Sequence, residues 1–373
     1  MTITVSKAVL SDAVNVLSQA LSKKNTLPIL DDFHCKVDGK TMVMTASDSE
    51  VTVCKTVVLD EVKDGCAFCM DAAMIKNALA ELPEQPITLK VTDDQIVVTH
   101  ETGNFHFAII SPNPDEYPIL LLDQDLPNLF DVDAKKVIEA INRCIWATET
   151  SDLRPAMQGI CFNVFDGFLE IVASNGHHII RSHIKANVPA ELKAGFVLSK
   201  KAAIMLTKQP KDVDFFISFD DKHVMIEADD AVIYASLIDA KYPDYNKIWP
   251  VGTRPTALIN RNQLINSIKK VAPFASGSSN MVRFTFSKDT LVLNGEDYDF
   301  GAGATDAFNV DYDDKTIAFG IKANSLLKTL QIMKTDRLFM EFTDESKAIT
   351  LSYESPDETD QVDALHMPML LND

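Results

Sequence analysis

The chain has 373 residues, 46% of them apolar, and a formal net charge of −19. That is length enough for several cores of ordinary globular composition, with no apolar run near the roughly 20 residues of a membrane helix. Residues 1–6 lack the basic-then-apolar pattern of an export signal, and so negative a bulk charge argues against nucleic acid.

Helices are predicted where apolar residues recur at i, i+3 and i+4. Segment 6–24 sets Leu10, Ala13, Val14, Leu17 and Leu21 on one face, and segment 71–84 follows as a second helix. Short runs rich in β-branched and aromatic residues then read as strands at 87–91, 96–99 and 105–110. The pattern restarts with a helix at 133–147 (Val137, Ile141, Cys144, Ile145), another at 197–211, and strands at 215–219, 224–228 and 231–237. It restarts once more at 257–280 (Leu264, Ile265, Ile268, Val271) and 322–337 (Leu326, Leu327, Leu330, Met333), followed by strands at 338–342 and 349–353. Helix, strands, helix, strands is the α+β pattern of antiparallel sheet with helices on one face.

The restarts are a true repeat. The segment from Pro28 to Val37 returns from Pro155 to Val164, 127 positions on, and Met42–Ser47 returns as Leu169–Ser174. Leu291-Val292-Leu293-Asn294-Gly295 is a weaker third copy, and Tyr117-Pro118, Tyr242-Pro243 and Met367-Pro368 mark the ends of the three units. A period this long means whole domains rather than solenoid repeats. The expected boundaries give domains 1–126, 127–250 and 251–373, with prolines near each junction.

Charge is segregated along this frame. Segment 197–211 carries Lys200, Lys201, Lys208 and Lys211 with no acid, and segment 257–280 carries Arg261, Lys269 and Lys270 with none. Five of the six helical segments hold more base than acid; 71–84 is the exception. Acids crowd instead into strands and loops such as 212–230 and 306–314. Basic helices in an acidic protein focus positive potential on one surface.

Catalytic motifs do not assemble. Cys66 and Cys69 have CxxC spacing but neither a second pair nor a nearby histidine, so no metal or cofactor is expected. The adjacent His177 and His178 would face opposite ways on a strand. Asp299-Phe300-Gly301 lacks the companion motifs of a kinase, and Ser276-Gly277-Ser278-Ser279 reads as a turn. The six cysteines and the missing export signal point to a reduced, cytoplasmic protein.

Thr26-Leu27-Pro28-Ile29-Leu30, Ala46-Ser47-Asp48-Ser49-Glu50, Asn175-Gly176-His177, Tyr242-Pro243-Asp244-Tyr245 and Met367-Pro368-Met369 together resemble the β subunit of bacterial DNA polymerase III, the sliding clamps, over the whole chain. The resemblance implies a homodimer of three-domain subunits joined head to tail into a ring. Helices would line a hole for double-stranded DNA, which is held without sequence preference through phosphates. It implies no catalysis, but a tether for the replicative polymerase, the clamp loader and repair factors, which dock short linear motifs.

By the same resemblance the DNA-channel candidates are Lys24, Lys200, Lys201, Lys208, Lys269, Lys270 and Lys328. The partner-peptide cleft maps to Arg154, Met157, Ser174, Gly176, His177 and Ile179 in the second domain and to Pro243, Lys247 and Ile248 at its end. Leu365, Met367, Pro368, Met369 and Leu370 complete it. Phe105, Phe107, Pro273 and Phe274 resemble the intersubunit contact. The chain departs from the common cleft pattern at His178, where an arginine is usual, and at its Leu371-Asn372-Asp373 extension. Both departures are expected to make the cleft rim less basic.

Overall fold

The computed structural model describes residues 1–22, 25, 27–119, 126–252, 254–353 and 360–371. The first repeat runs β1 (Thr2–Ser6), α1 (Lys7–Leu17), β2 (Asp32–Asp38), β3 (Thr41–Ser47), β4 (Val51–Val58), β5 (Glu61–Lys63) and β6 (Ala67–Asp71). It ends with α2 (Ala72–Ala80), β7 (Pro86–Val91), β8 (Gln95–His100) and β9 (Gly103–Ala108). The second runs β10 (Asn128–Asp133), α3 (Ala134–Cys144), the single turn α4 (Pro155–Gln158), β11 (Ile160–Phe165), β12 (Phe168–Ser174) and β13 (His178–Lys185). Then come β14 (Ala194–Leu198), α5 (Lys200–Leu206), β15 (Asp214–Phe219), β16 (His223–Ala228) and β17 (Ala231–Ser236). The third runs β18 (Thr256–Asn260), α6 (Arg261–Val271), β19 (Met281–Ser287), β20 (Thr290–Asp297) and β21 (Ala302–Asn309). It closes with β22 (Ile317–Lys322), α7 (Ala323–Ile332), β23 (Arg337–Glu341), β24 (Ile349–Ser352) and β25 (Asp360–His366).

The helices are shorter than their apolar spacing predicts, and local chemistry says why. Ala257, Leu258 and Ile259 were expected in a helix but form β18, because Asn260 caps the helix after them, its side chain accepting from the Gln263 amide at 3.0 Å. Pro273 stops the same helix two residues past Val271. Asp71 and Ser199 cap α2 and α5 in the same way.

Two compact units emerge. Met1–Ile138, Ala186–Leu192 and Leu198–Asp239 form one; Glu139–Lys185, Lys193–Val197 and Ala240–Asp373 form the other. In the first unit a five-stranded sheet has the order β5-β1-β7-β8-β9, and an eight-stranded sheet the order β10-β15-β16-β17-β4-β3-β2-β6. In the second, an eight-stranded sheet runs β14-β11-β12-β13-β25-β24-β23-β18, and a four-stranded sheet β21-β20-β19-β22. Both eight-stranded sheets are continuous from one repeat into the next, through β17 on β4 and β25 on β13, with Ala231 opposite Lys55 and His178 opposite His366. β9 and β21 are left as sheet edges.

The core follows the alternation. Every second residue of β19, and of β20 as far as Gly295, is buried, including Phe284, Phe286, Leu291 and Leu293. α6 lies on β20 and β21, so closely that a Cβ added at Gly295 would stand 2.3 Å from the Val271 carbonyl oxygen.

A buried charge ties the second unit together. Arg143 at the end of α3 is almost fully buried; it donates to Ser182 Oγ at 3.2 Å and to Glu139 at 3.2 Å, and is bidentate on Asp360 at the start of β25. Removing one partner of such a set strands a desolvated charge. Asp360→Ala should therefore cost about 3 kcal/mol, read as a lower urea midpoint. Asp166→Ala, which breaks the solvent-exposed pair with Lys193, should cost under about 0.5 kcal/mol in the same assay.

Candidate functional site: a cleft built on the second repeat seam

The β12–β13 turn is fixed by its own side chains. Asn175 Oδ1 accepts from the amides of His177 (3.0 Å) and His178 (3.2 Å), and Ser174 Oγ accepts from the Gly176 amide at 3.1 Å. Gly176 has φ +85°, a conformation that favours glycine, and a Cβ there would lie 2.4 Å from Arg154 Nη1. Arg154 in turn donates to the Asn175 carbonyl at 3.3 Å, and Met157 Cε lies 3.9 Å from that same Cβ position. Arg154, Met157, Ser174, Gly176 and His177 thus come together at this turn.

The C-terminal segment is laid along this turn. The Met367 amide donates to the His177 carbonyl and the Met369 amide to the Gly320 carbonyl, each at 2.8 Å. A cavity of about 480 Å³ opens between the Asn175–His178 turn and Met367, Pro368, Met369 and Leu370. Leu370 is 77% exposed. The remaining wall was missed from sequence and is mostly polar: Lys322, Ser325, Ser278 and Ser279, with Ile321 and His366. Apolar, polarisable side chains over a shaped hollow suit an adaptable contact with a short apolar peptide.

The other predicted cleft residues fall elsewhere. Ile179 and Leu365 face each other across β13 and β25 and are buried with Cys161, Val172 and Tyr245, under Tyr242 and Trp249. They face away from His178 and His366, on the other side of the β13–β25 ladder, and do not line the cavity. Pro243 borders a second cavity, of about 610 Å³, with Glu170, Arg181, His183 and Tyr242. There Tyr245 donates to Glu170, and His183 Nε2 stands 3.1 Å from the same carboxylate. Lys247 pairs with Asp244 at 3.2 Å, and Ile248 is exposed. Trp249, with the Arg181 guanidinium 3.7 Å from its ring centroid, carried no sequence signal beyond its aromatic character.

His178 does not sit on the rim. It is buried, stacked between Trp146 (4.7 Å) and His366 (5.7 Å). Burial first, then the neighbouring His177, Lys328 and Lys322, push its pKa down to about 4, with Glu149 opposing. His366 is pushed down to about 3 by burial and by His178. Lys322 borders the same cavity and puts a cation there.

The channel candidates divide. Lys24 lies outside the described residues. Lys201 is held by Asp48 and the Ala20 carbonyl, Lys270 by Asp306 at 3.0 Å, and Lys328 stands 5.5 Å over the Trp146 ring. Lys200 is exposed at the start of α5, whereas Lys208 and Lys269 are exposed and form no ion pair among the described residues. Of the interface candidates, Phe107 is buried opposite Ile96 and Phe105 is half-buried opposite Val98. Pro273 and Phe274 are exposed past the end of α6. Cys66 is exposed while Cys69 is buried, so the CxxC pair does not converge.

Three like α+β repeats joined by sheet-to-sheet seams, with a peptide-sized cleft on one seam, define a clamp-fold protein. Family models for the DNA polymerase III beta subunit match the N-terminal domain at residues 1–122, the central domain at 131–244 and the C-terminal domain at 246–370. The beta sliding clamp of Pseudomonas aeruginosa is 21% identical over 378 residues, with all of both chains covered, and that of Halalkalibacterium halodurans 21% identical over 374, with 95% of each covered. Among solved structures, the P. aeruginosa sliding clamp bound to griselimycin superposes with a TM-score of 0.93 at 20% identity, and the Thermotoga maritima beta subunit with 0.89 at 22%, each covering both chains fully. The chain belongs to the DNA polymerase III beta subunit family, the beta sliding clamps of DNA replication, which are processivity factors and not enzymes.

Two buried neutral histidines set a pH dependence. Unfolded, each titrates near 6.5; folded, near 4 and 3. The unfolded chain therefore binds more protons below pH 6.5, so their contribution to stability is intact above 6.5 and declines as the pH falls toward 4. The urea midpoint should drop between pH 7 and 5, and the NMR signals of both imidazoles should stay in the neutral position at pH 5.5.

Proposed function

We propose that two copies of this chain close head to tail into a ring around duplex DNA, and that the ring tethers the replicative polymerase, the clamp loader and repair factors. In this reading the domains are 1–126, 127–250 and 251–373, and the protein acts in the cytoplasm. The observation that carries the ring is the order of strands. β17 is the last strand of its repeat and pairs with β4; β25 is the last strand of its repeat and pairs with β13. β4, β13 and β21 hold the same place in their repeats, as do β17, β25 and β9. β9 and β21 are the two edges this rule leaves unpaired, and a second copy satisfies both at once.

The exposed lysines supply sequence-independent phosphate contact, each released counterion adding salt dependence. Lys208→Glu with Lys269→Glu should shorten retention on circular DNA and lower the salt slope by about one per lysine. Unchanged retention would remove both from the channel.

The Met367–Leu370 cleft is the docking site for apolar linear motifs. Met369→Ala combined with deletion of residues 370–373 should weaken a fluorescent Gln-Leu-x-Leu-Phe pentapeptide by about 2 kcal/mol or more in anisotropy, as for a central hot spot. The melting temperature should move little. A collapse in melting would instead make these residues core.

A further inference from the structure

The inner seams serve as a template for the outer one. Ser236 and Ala108 are equivalent: each is the last residue of its strand, opposite His223 and Gln95, and each is followed by an amide bonded back to the hairpin, Leu237 to Lys222 (2.7 Å) and Ile109 to Asp94 (2.9 Å). At the first inner seam the Ser236 amide donates to the Glu50 carbonyl in the β3–β4 turn at 2.9 Å. The same turn is pinned from the side by α5, whose Lys201 grips Asp48. At the second inner seam the Met367 amide donates to the His177 carbonyl in the β12–β13 turn, and that turn shares a cavity with Lys322 and Ser325 at the start of α7. Each seam therefore sets a hairpin turn against the end of a strand and the start of a helix.

Carried to the free edges, the rule brings the β20–β21 turn, residues 298–301, to the end of β9 and the start of α2. The caps fix the helix register: Ser199 accepts from Ala202 as Asp71 accepts from Met74, so Ala73 takes the place of Lys201. The outer seam therefore lacks the lysine. Its turn instead carries Tyr298 and Phe300, each 85% exposed, while Ile110 (71% exposed) lies just past the end of β9 and Met74 (55%) at the start of α2. Asp297 Oδ1 accepts from the amides of Asp299 (3.1 Å) and Phe300 (3.3 Å), holding the turn in shape with both rings in water. Two large aromatics pinned outward next to an open strand edge form an apolar surface of the kind that marks a contact.

We infer that Tyr298 and Phe300 of one copy pack on Ile110 and Met74 of a second copy of this chain, replacing with an apolar clasp the Lys201–Asp48 ion pair of the first inner seam. The inference rests on the ring proposed above. In sedimentation equilibrium of the full chain, Tyr298→Ser/Phe300→Ser and, separately, Ile110→Ser/Met74→Ser should each raise the dimer dissociation constant at least about tenfold. All four side chains are exposed, so the far-UV circular dichroism of each variant should match the wild type. Mixing the two variants should restore tighter dimers than either forms alone, because the mixed ring has one seam with all four residues intact. A wild-type dimer whose affinity neither variant alters by more than about twofold would overturn the clasp and leave the ring standing. Weakened variants that mixing does not rescue would overturn it as well, since the loss would then come from damaged folding. A wild-type chain that stays monomeric at micromolar concentration would remove the ring, and the clasp with it.

Discussion

An unpaired strand edge is the constraint on which this structure depends. Backbone amides and carbonyls at a sheet edge need partners, and among its edges each repeat offers one on its third core strand and one on its last strand. Pairing the last strand of one repeat with the third core strand of the preceding repeat satisfies both at each inner seam. The eight-stranded sheets, the interleaved boundaries of the two compact units and the position of the cleft all follow from that one rule.

The cleft is a by-product of a seam. Where β25 meets β13, the chain beyond β25 has to leave along the β12–β13 turn, and it does so by bonding to His177 and then to Gly320. Methionine, proline and leucine in that exit segment turn a structural necessity into an apolar surface. Gly176 leaves room for the Arg154 guanidinium beside it.

Much of this was legible in the sequence, because periodicity and repetition are local signals. The three repeats and the α+β class could be read there, and His177 does lie beside Met367–Leu370. Segment 257–259 could not, since an apolar triplet suits strand or helix until the Asn260 cap decides. Lys322 and Trp249 were missed because their roles come from contacts across the unit. The placement of His178 was missed for the same reason: a residue type that names a cation in the sequence becomes a neutral, stacked ring once Trp146 and His366 enclose it.

The seams also impose an order on synthesis. Lys55 on β4 and Asp230 beside β17 are joined across the first seam yet stand 175 positions apart. At a translation rate of roughly 5–20 residues per second, the outer edge of β4 waits on the order of ten seconds or more on the ribosome before its partner strand exists. The edge of β13 waits similarly for β25, which lies close to the end of the chain. A nascent chain of this design therefore presents the bare edges of β4 and β13 until β17 and β25 have been made.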